Sequence, residues 1–143
     1  MIVVDASAAI RWFMPADPGG EVYGLPRTPA ALVAPDLFIA EIRSAALRYV
    51  RKKELTRDAA MAMVETIDRL MAGYVPLQEL RDAAWTMALA YDHSPYDCFY
   101  VELARSMGSY LVTADGHLIR KFAGSPLASH IVHLADWRPE QRP

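Results

Sequence analysis

Ile2-Val3-Val4 is a run of three branched apolar residues stopped at once by Asp5. A run so short, with no polar residue on either face, reads as a buried strand of a parallel sheet, which must be covered on both sides. Similar pieces recur at Leu32-Val33-Ala34, Tyr110–Thr113 and Ile131–Leu134. Tyr74–Leu77 is a further candidate, weakened by Pro76. Helical stretches lie between them. Ala6–Phe13 is short. Leu37–Lys53 has Asp36 as candidate N-cap, apolar Phe38, Ile42, Ala45, Ala46 and Tyr49 at helical spacing, and a basic last turn. Thr56 can cap a helix to Met71 or Ala72 with Gly73 as its stop, which pairs antiparallel with its predecessor. Glu79–Tyr91, Ser94–Gly108 and Gly116–Phe122 follow. This alternation predicts an α/β fold, a three-layer α/β/α sandwich with a mostly parallel central sheet. One domain over 1–135 accounts for it, with a polar C-terminal tail over 136–143 from which Trp137 can tuck back. Pro15–Pro35 carries five prolines and three glycines and reads as irregular apart from its last residues.

In such sheets ligands bind outside the carboxyl ends of the strands. Asp5 ends the first strand, and the strand from Tyr110 ends in Thr113-Ala114-Asp115. Two more acids stand on core-facing helices: Glu41 with Leu37, Phe38 and Ala45 on its face, and Asp97 with Tyr100, Val101 and Ala104 on its own. Two carboxylates about 4 Å apart repel by roughly 4 kcal/mol at an effective dielectric of 20. Domain stability is only about 5–15 kcal/mol. Four bare anions at one site therefore need raised pKa values or a cation. An all-oxygen set with Ser and Thr hydroxyls suits Mg2+ or Mn2+ rather than zinc. The lone cysteine, Cys98, excludes a cysteine zinc site and an internal disulfide, and suits a reducing compartment.

The chain carries 15 basic and 17 acidic residues, a formal net charge of −2. Bulk electrostatics would not hold nucleic acid on such a surface, so any such work is local to a site. A cation supplies the missing positive charge and can activate water and stabilise a phosphoryl group in flight. Arg11, Arg43, Arg48, Arg120 and Lys121 are candidates to add phosphate contacts. No apolar stretch approaches the ~18 residues of a membrane span, and the opening residues carry no basic leader. The expectation is a cytoplasmic protein without a membrane segment.

Each acid also has an ordinary structural role open to it. Asp97 is the third residue of a helix begun by Ser94-Pro95 and can cap it. Glu41 can pair with Arg48 or Arg11, Asp115 can cap the helix through Leu118, and Asp5 can turn onto Ser7. His93 and His117 read as exposed turn residues, Cys98 as core, and the Met and aromatic residues as packing. His130 and His133, three apart in an expected strand, face opposite ways.

Four blocks of the chain resemble those of PIN-domain proteins of the VapC toxin type. They are Val3–Phe13 around Asp5, Pro35-Asp36-Leu37 through Glu41 with Arg48 beyond, Tyr96–Ala104 around Asp97, and Leu111–Asp115 with Leu118. Their acids are separated by 36, 56 and 18 residues, and the likeness runs from Met1 to about Leu134. The resemblance implies a PIN-like fold and a Mg2+- or Mn2+-dependent endoribonuclease cutting RNA. It further implies the toxin of a type II toxin–antitoxin pair, held by a small VapB-like antitoxin and forming a homodimer. By matched position Asp5, Glu41, Asp97 and Asp115 would be catalytic. Asp5, Asp97 and Asp115 would hold the metal, Glu41 would be a ligand or orient water, and Ser7 and Thr113 would support them. The chain departs from the pattern in Pro15–Ala34, which is shorter and richer in proline and glycine than the helix expected there. The competing reading is a non-catalytic PIN-like module that binds RNA or protein.

Overall fold

The computed structural model describes residues 1–14 and 27–138. Most of the irregular segment after Pro15 and the tail's last five residues lie outside that range. Five strands form one sheet: β1 (Ile2–Val4), β2 (Leu32–Pro35), β3 (Gly73–Val75), β4 (Leu111–Thr113) and β5 (Ile131–His133). Their order is β3-β2-β1-β4-β5, and every pairing is parallel. Val3, Val4, Leu111 and Val112 have no solvent exposure, as double cover of the centre requires.

The helices are α1 (Ala6–Ile10), α2 (Leu37–Arg51), α3 (Arg57–Leu70), α4 (Leu77–Tyr91), α5 (Pro95–Ser106) and α6 (Gly116–Phe122). The steps β1 to β2 to β3 move one way across the sheet, so right-handed crossovers put α1, α2 and α3 on one face. The return from β3 to β4 reverses direction and carries α4 and α5 to the other, completing three layers. Contacts agree: α2 packs on α1 and α3, while α5 packs on α4 and against β1, β2 and β4. Phe38, Ile42, Ala45 and Ala46 form the buried stripe of α2. No helix among the described residues is long and apolar enough to cross a membrane.

Several boundaries differ from the sequence reading. Leu77 opens α4 instead of closing a strand, because Pro76 ends the edge strand β3 and serves as the helix's N-cap residue. Pro76 has no side chain to cap with, and Asp36 does that work: its Oδ1 accepts from the Leu77 amide at 3.2 Å. Asp36 consequently makes no side-chain bond to α2, the helix it precedes. Ser94 likewise makes no capping bond to α5. α1 ends at Ile10 and the chain turns through Arg11–Phe13. Chain reversal after α3 is made by Met71 in extended conformation, and Gly73 belongs to β3. Trp137 does tuck back: it is buried and its indole N–H donates to the Tyr110 hydroxyl at 3.2 Å.

Candidate functional site

The strand order reverses between β1 and β4, and the crevice over their carboxyl ends is where an open α/β sheet binds ligands. The strands are three or four residues long, about 10–13 Å. At 15 residues, α2 is about 22 Å long. Helices from both faces are linked here, where Tyr100 of α5 bonds Glu41 of α2.

Asp5 leaves β1 into this crevice and is buried. Its Oδ1 accepts from the Ala8 amide at 2.9 Å and from the Ser7 hydroxyl at 2.7 Å. It thus caps α1 while facing the site. Burial pushes its carboxyl up to about 6; bonds from Thr113, Ser7 and Ala8 oppose the rise, and the charge of Asp97 adds to it. Glu41 sits on the first half of α2 and is pushed up to about 7, chiefly by burial, with Asp5 and Asp97 adding and the Tyr100 bond and Arg48 opposing. The Tyr100 hydroxyl donates to Glu41 Oε1 at 3.0 Å. Burial and the charges of Glu41, Asp5 and Asp97 hold that phenol far above its ordinary range. Glu41 makes no ion pair with Arg48 or Arg11 among the described residues; Arg48 acts on it only at longer range.

Asp97 does not cap α5. Its Oδ2 lies 2.7 Å from His93 Nε2, and the His93 side chain is only 5% exposed. The expectation of an exposed turn histidine is overturned by packing: the His93 ring is edge-on to Phe122 at 5.5 Å and tilted against His117 at 5.7 Å. Asp92, with φ of 48°, makes the left-handed turn that aims His93 inward.

Asp115 is not among the charges that act on Asp5 and Glu41. Its Oδ1 accepts from the His117 and Leu118 amides at 2.8 and 3.4 Å, capping α6. Hydroxyls join it to Asp5. The Asp115 amide donates to Thr113 Oγ1, Thr113 Oγ1 lies 3.3 Å from Ser7 Oγ, and Ser7 accepts from the Ala114 amide at 3.0 Å. Ser7 and Thr113 thus sit where the sequence put them, between the two strand ends. Among the described residues no three His, Cys, Asp or Glu side chains stand close enough to hold a metal ion. Each acid spends one oxygen on the hydrogen bonds to these neighbours, Asp5 Oδ1, Glu41 Oε1, Asp97 Oδ2 and Asp115 Oδ1, and its second oxygen takes no part in them.

His93 and Tyr100 are the site residues that sequence reasoning missed. The i, i+4 spacing of His93 and Asp97 was a usable signal, as was a tyrosine on the face of Asp97. Cys98 is buried core, as expected, with its thiol pushed up to about 11 by burial. His130 Nδ1 lies 2.7 Å from the Ser109 carbonyl, and His133 Nδ1 accepts from the Ala135 amide. Arg43 pairs with Asp68 at 2.7 Å, which takes it away from phosphate contact. Trp85, Tyr96 and Met61 are exposed, against the expectation that aromatic and Met residues only pack.

The family model for the PIN domain matches residues 2–124. "VapC ribonuclease Mb0985" of Mycobacterium bovis is 31% identical over 115 residues, 80% of this chain and 86% of the relative. "Ribonuclease VapC3" of Pyrobaculum aerophilum is 28% identical over 124 residues, 85% of this chain and 94% of the relative. The crystal structure of PAE2754 from the same organism superimposes with a TM-score of 0.67 at 22% identity, covering 93% of this chain and 88% of that one, a likeness of fold. The chain belongs to the PIN-domain family, among its VapC-type members.

Proposed function

We propose that the protein is a metal-dependent endoribonuclease that hydrolyses phosphodiester bonds in RNA, the toxin of a type II toxin–antitoxin pair. The relatives' names as ribonucleases support the reaction class. The observation that carries the reading is the mutual influence of Asp5, Glu41 and Asp97, drawn from three distant stretches to the switch point of the sheet. Burial raises Asp5 and Glu41 toward neutrality, and the repulsion between the acids adds a smaller push in the same direction.

The donor set is all oxygen, which fits Mg2+ or Mn2+. Asp5, Asp97 and Asp115 would hold the ion, directly or through water. When bound, such an ion activates water and stabilises developing phosphate charge. Glu41, near neutrality, is suited to hold or orient the attacking water. Ser7 and Thr113 would fix Asp5, while His93 and Tyr100 would fix Asp97 and Glu41. Asp5, Asp97 and Asp115 each keep one oxygen for that ion, outside the bonds to Ser7 and Ala8, to His93 and to the His117 and Leu118 amides.

The physiological setting proposed with this activity is the cytoplasm, a homodimer, and inhibition by a small VapB-like antitoxin. Residues 1–135 are taken as one domain. The test is cleavage of a labelled single-stranded RNA with Mg2+ or Mn2+ and with EDTA. Cleavage lost in EDTA and in Asp5→Asn supports the reading; wild-type protein that cuts with neither ion overturns it. The second reading, a PIN-like module that binds RNA or protein without cutting, draws on the finding that no three His, Cys, Asp or Glu side chains among the described residues are grouped to hold an ion. That reading predicts no thermal stabilisation by Mn2+.

A further inference from the structure

Glu41, Ala45 and Arg48 stand at i, i+4 and i+7 along one stripe of α2, and Lys52, the residue that caps its C-terminus, follows at i+11 on the same side. The eleven steps from Glu41 to Lys52 span about 16 Å. Two concavities lie along that stripe and share Ser7, Ile10, Ala45 and Arg48 in their walls. One, about 390 Å3, also takes in Glu41 and Tyr96. The other, about 270 Å3, takes in Arg11, Tyr49 and Lys52. Together they make one trough that starts at the acidic centre and runs between α1 and α2 toward a basic end.

Charge selects its occupant. Arg43, Arg69, Arg81 and Arg105 are each paired with a carboxylate. Arg11, Arg48 and Lys52, like Arg51, Lys53, Arg57, Arg120 and Lys121, form no ion pair among the described residues, but only these three line the trough. Three unneutralised cations in line on a chain of net charge −2 mark a local site for a polyanion. At the acidic end the Tyr96 ring is 66% exposed, an open face of the kind on which unpaired bases stack.

We propose that a single RNA strand leaves the acidic centre along this trough, with its phosphates against Arg48, Arg11 and Lys52 and a base against Tyr96. The inference rests on the nuclease reading for what happens at the acidic end. The trough itself is tested by binding.

The experiment titrates a 5′-labelled single-stranded RNA oligonucleotide with the full chain in Mg2+ at several salt concentrations, beside multiple-turnover cleavage. The comparison is between Arg11→Gln/Lys52→Gln and Arg51→Gln/Arg57→Gln, which removes equal charge from exposed positions outside the trough. The first pair is expected to weaken binding about tenfold and to flatten the log Kd against log salt slope by about 1.4, two single-strand phosphates' worth. KM should rise and kcat hold. Tyr96→Ala should weaken binding severalfold without changing the slope. Unchanged RNA binding by Arg11→Gln/Lys52→Gln overturns the trough, including where that variant loses antitoxin instead. Loss confined to Arg120→Gln/Lys121→Gln would move the strand to the α6 side and also overturn it. If no variant or wild type cuts RNA but the binding loss appears, the nuclease reading falls and the trough stands. If wild type cuts and the trough variants bind normally, the reverse holds.

Discussion

The Tyr100 hydroxyl donates to Glu41 Oε1 at 3.0 Å, a bond that joins α5 to α2 across 59 residues of sequence. It favours the ionised carboxylate and opposes the burial that raises Glu41 to about 7. Tyr100→Phe removes that opposition, so the Glu41 carboxyl should rise further. The fold should survive at a cost of about 1 kcal/mol. If ionised Glu41 orients water, the acid limb of the kcat/KM profile should move to higher pH. A limb that stays in place while the urea midpoint falls would leave the bond only structural.

Asp5 makes the metal-free protein sensitive to pH. Its folded carboxyl, raised from 3.8 to about 6, keeps a proton that the unfolded chain has lost. Over that window the native state binds more protons, so stability falls as pH rises. Two pH units correspond to on the order of 2–3 kcal/mol, and Glu41, raised from 4.5 to about 7, adds an effect in the same direction. Melting in EDTA should therefore be higher at pH 5 than at pH 8. Asp5→Asn should flatten that dependence and match or exceed wild-type stability at pH 8. A melting temperature that climbs from pH 5 to pH 8 would contradict burial as the dominant effect.

How far these residues were readable in advance depended on what each answers to. Asp5 and Asp115 stand beside branched triplets whose burial is dictated by composition, so the sheet edge delivered them. Glu41 and Asp97 stood out because carboxylates on apolar helix faces carry a cost that must be offset. The partners were harder. Tyr100 looked like core because its ring is core; only its hydroxyl reaches Glu41. His93 follows Asp92, whose left-handed backbone turns the ring inward, and nothing in the sequence marks aspartate there as left-handed. Asp36 was placed at the right helix end but bonds to a different helix, because Pro76 left the α4 terminus without a cap of its own. Register across distant segments is a tertiary fact that local spacing does not encode.

Asp97 depends on His93 for its direction. The pair is 2.7 Å apart and the His93 side chain is buried against Phe122 and His117. His93→Ala should cost about 1–3 kcal/mol through lost packing and a freed carboxylate. It should also raise the Mn2+ concentration needed for half-maximal cleavage, by roughly tenfold if Asp97 is a ligand oriented by its neighbour. His93→Gln, which can keep a hydrogen bond, should recover part of that loss. Equal metal dependence in all three proteins would limit His93 to packing.

Ser7 is the hub between the two strand ends, donating to Asp5, accepting from the Ala114 amide and contacting Thr113. Ser7→Ala strands that amide and removes one of the bonds that lower the Asp5 carboxyl. The variant should lose about 1–2 kcal/mol and titrate Asp5 higher than wild type, so its stability in EDTA should fall more steeply with pH. Cleavage at pH 7 should drop more than stability does, because fewer molecules carry an ionised Asp5. Restoring activity by raising the pH to 8.5 is the distinguishing result. A loss that persists unchanged at high pH would assign Ser7 to geometry alone.

Cation binding should reverse the repulsion that the folded chain carries. If Asp5, Asp97 and Asp115 take an ion, Mn2+ at a hundred times its dissociation constant should add about 2.7 kcal/mol to stability. The gain should be larger at pH 8 than at pH 5, where Asp5 and Glu41 hold protons and compete with metal. Asp5→Asn and Asp97→Asn should abolish the gain together with cleavage, while each stays folded in EDTA. Thermal melts with and without Mn2+ at the two pH values check this directly. Stabilisation that survives in both variants would put the ion elsewhere on the protein and separate the acidic crevice from metal binding.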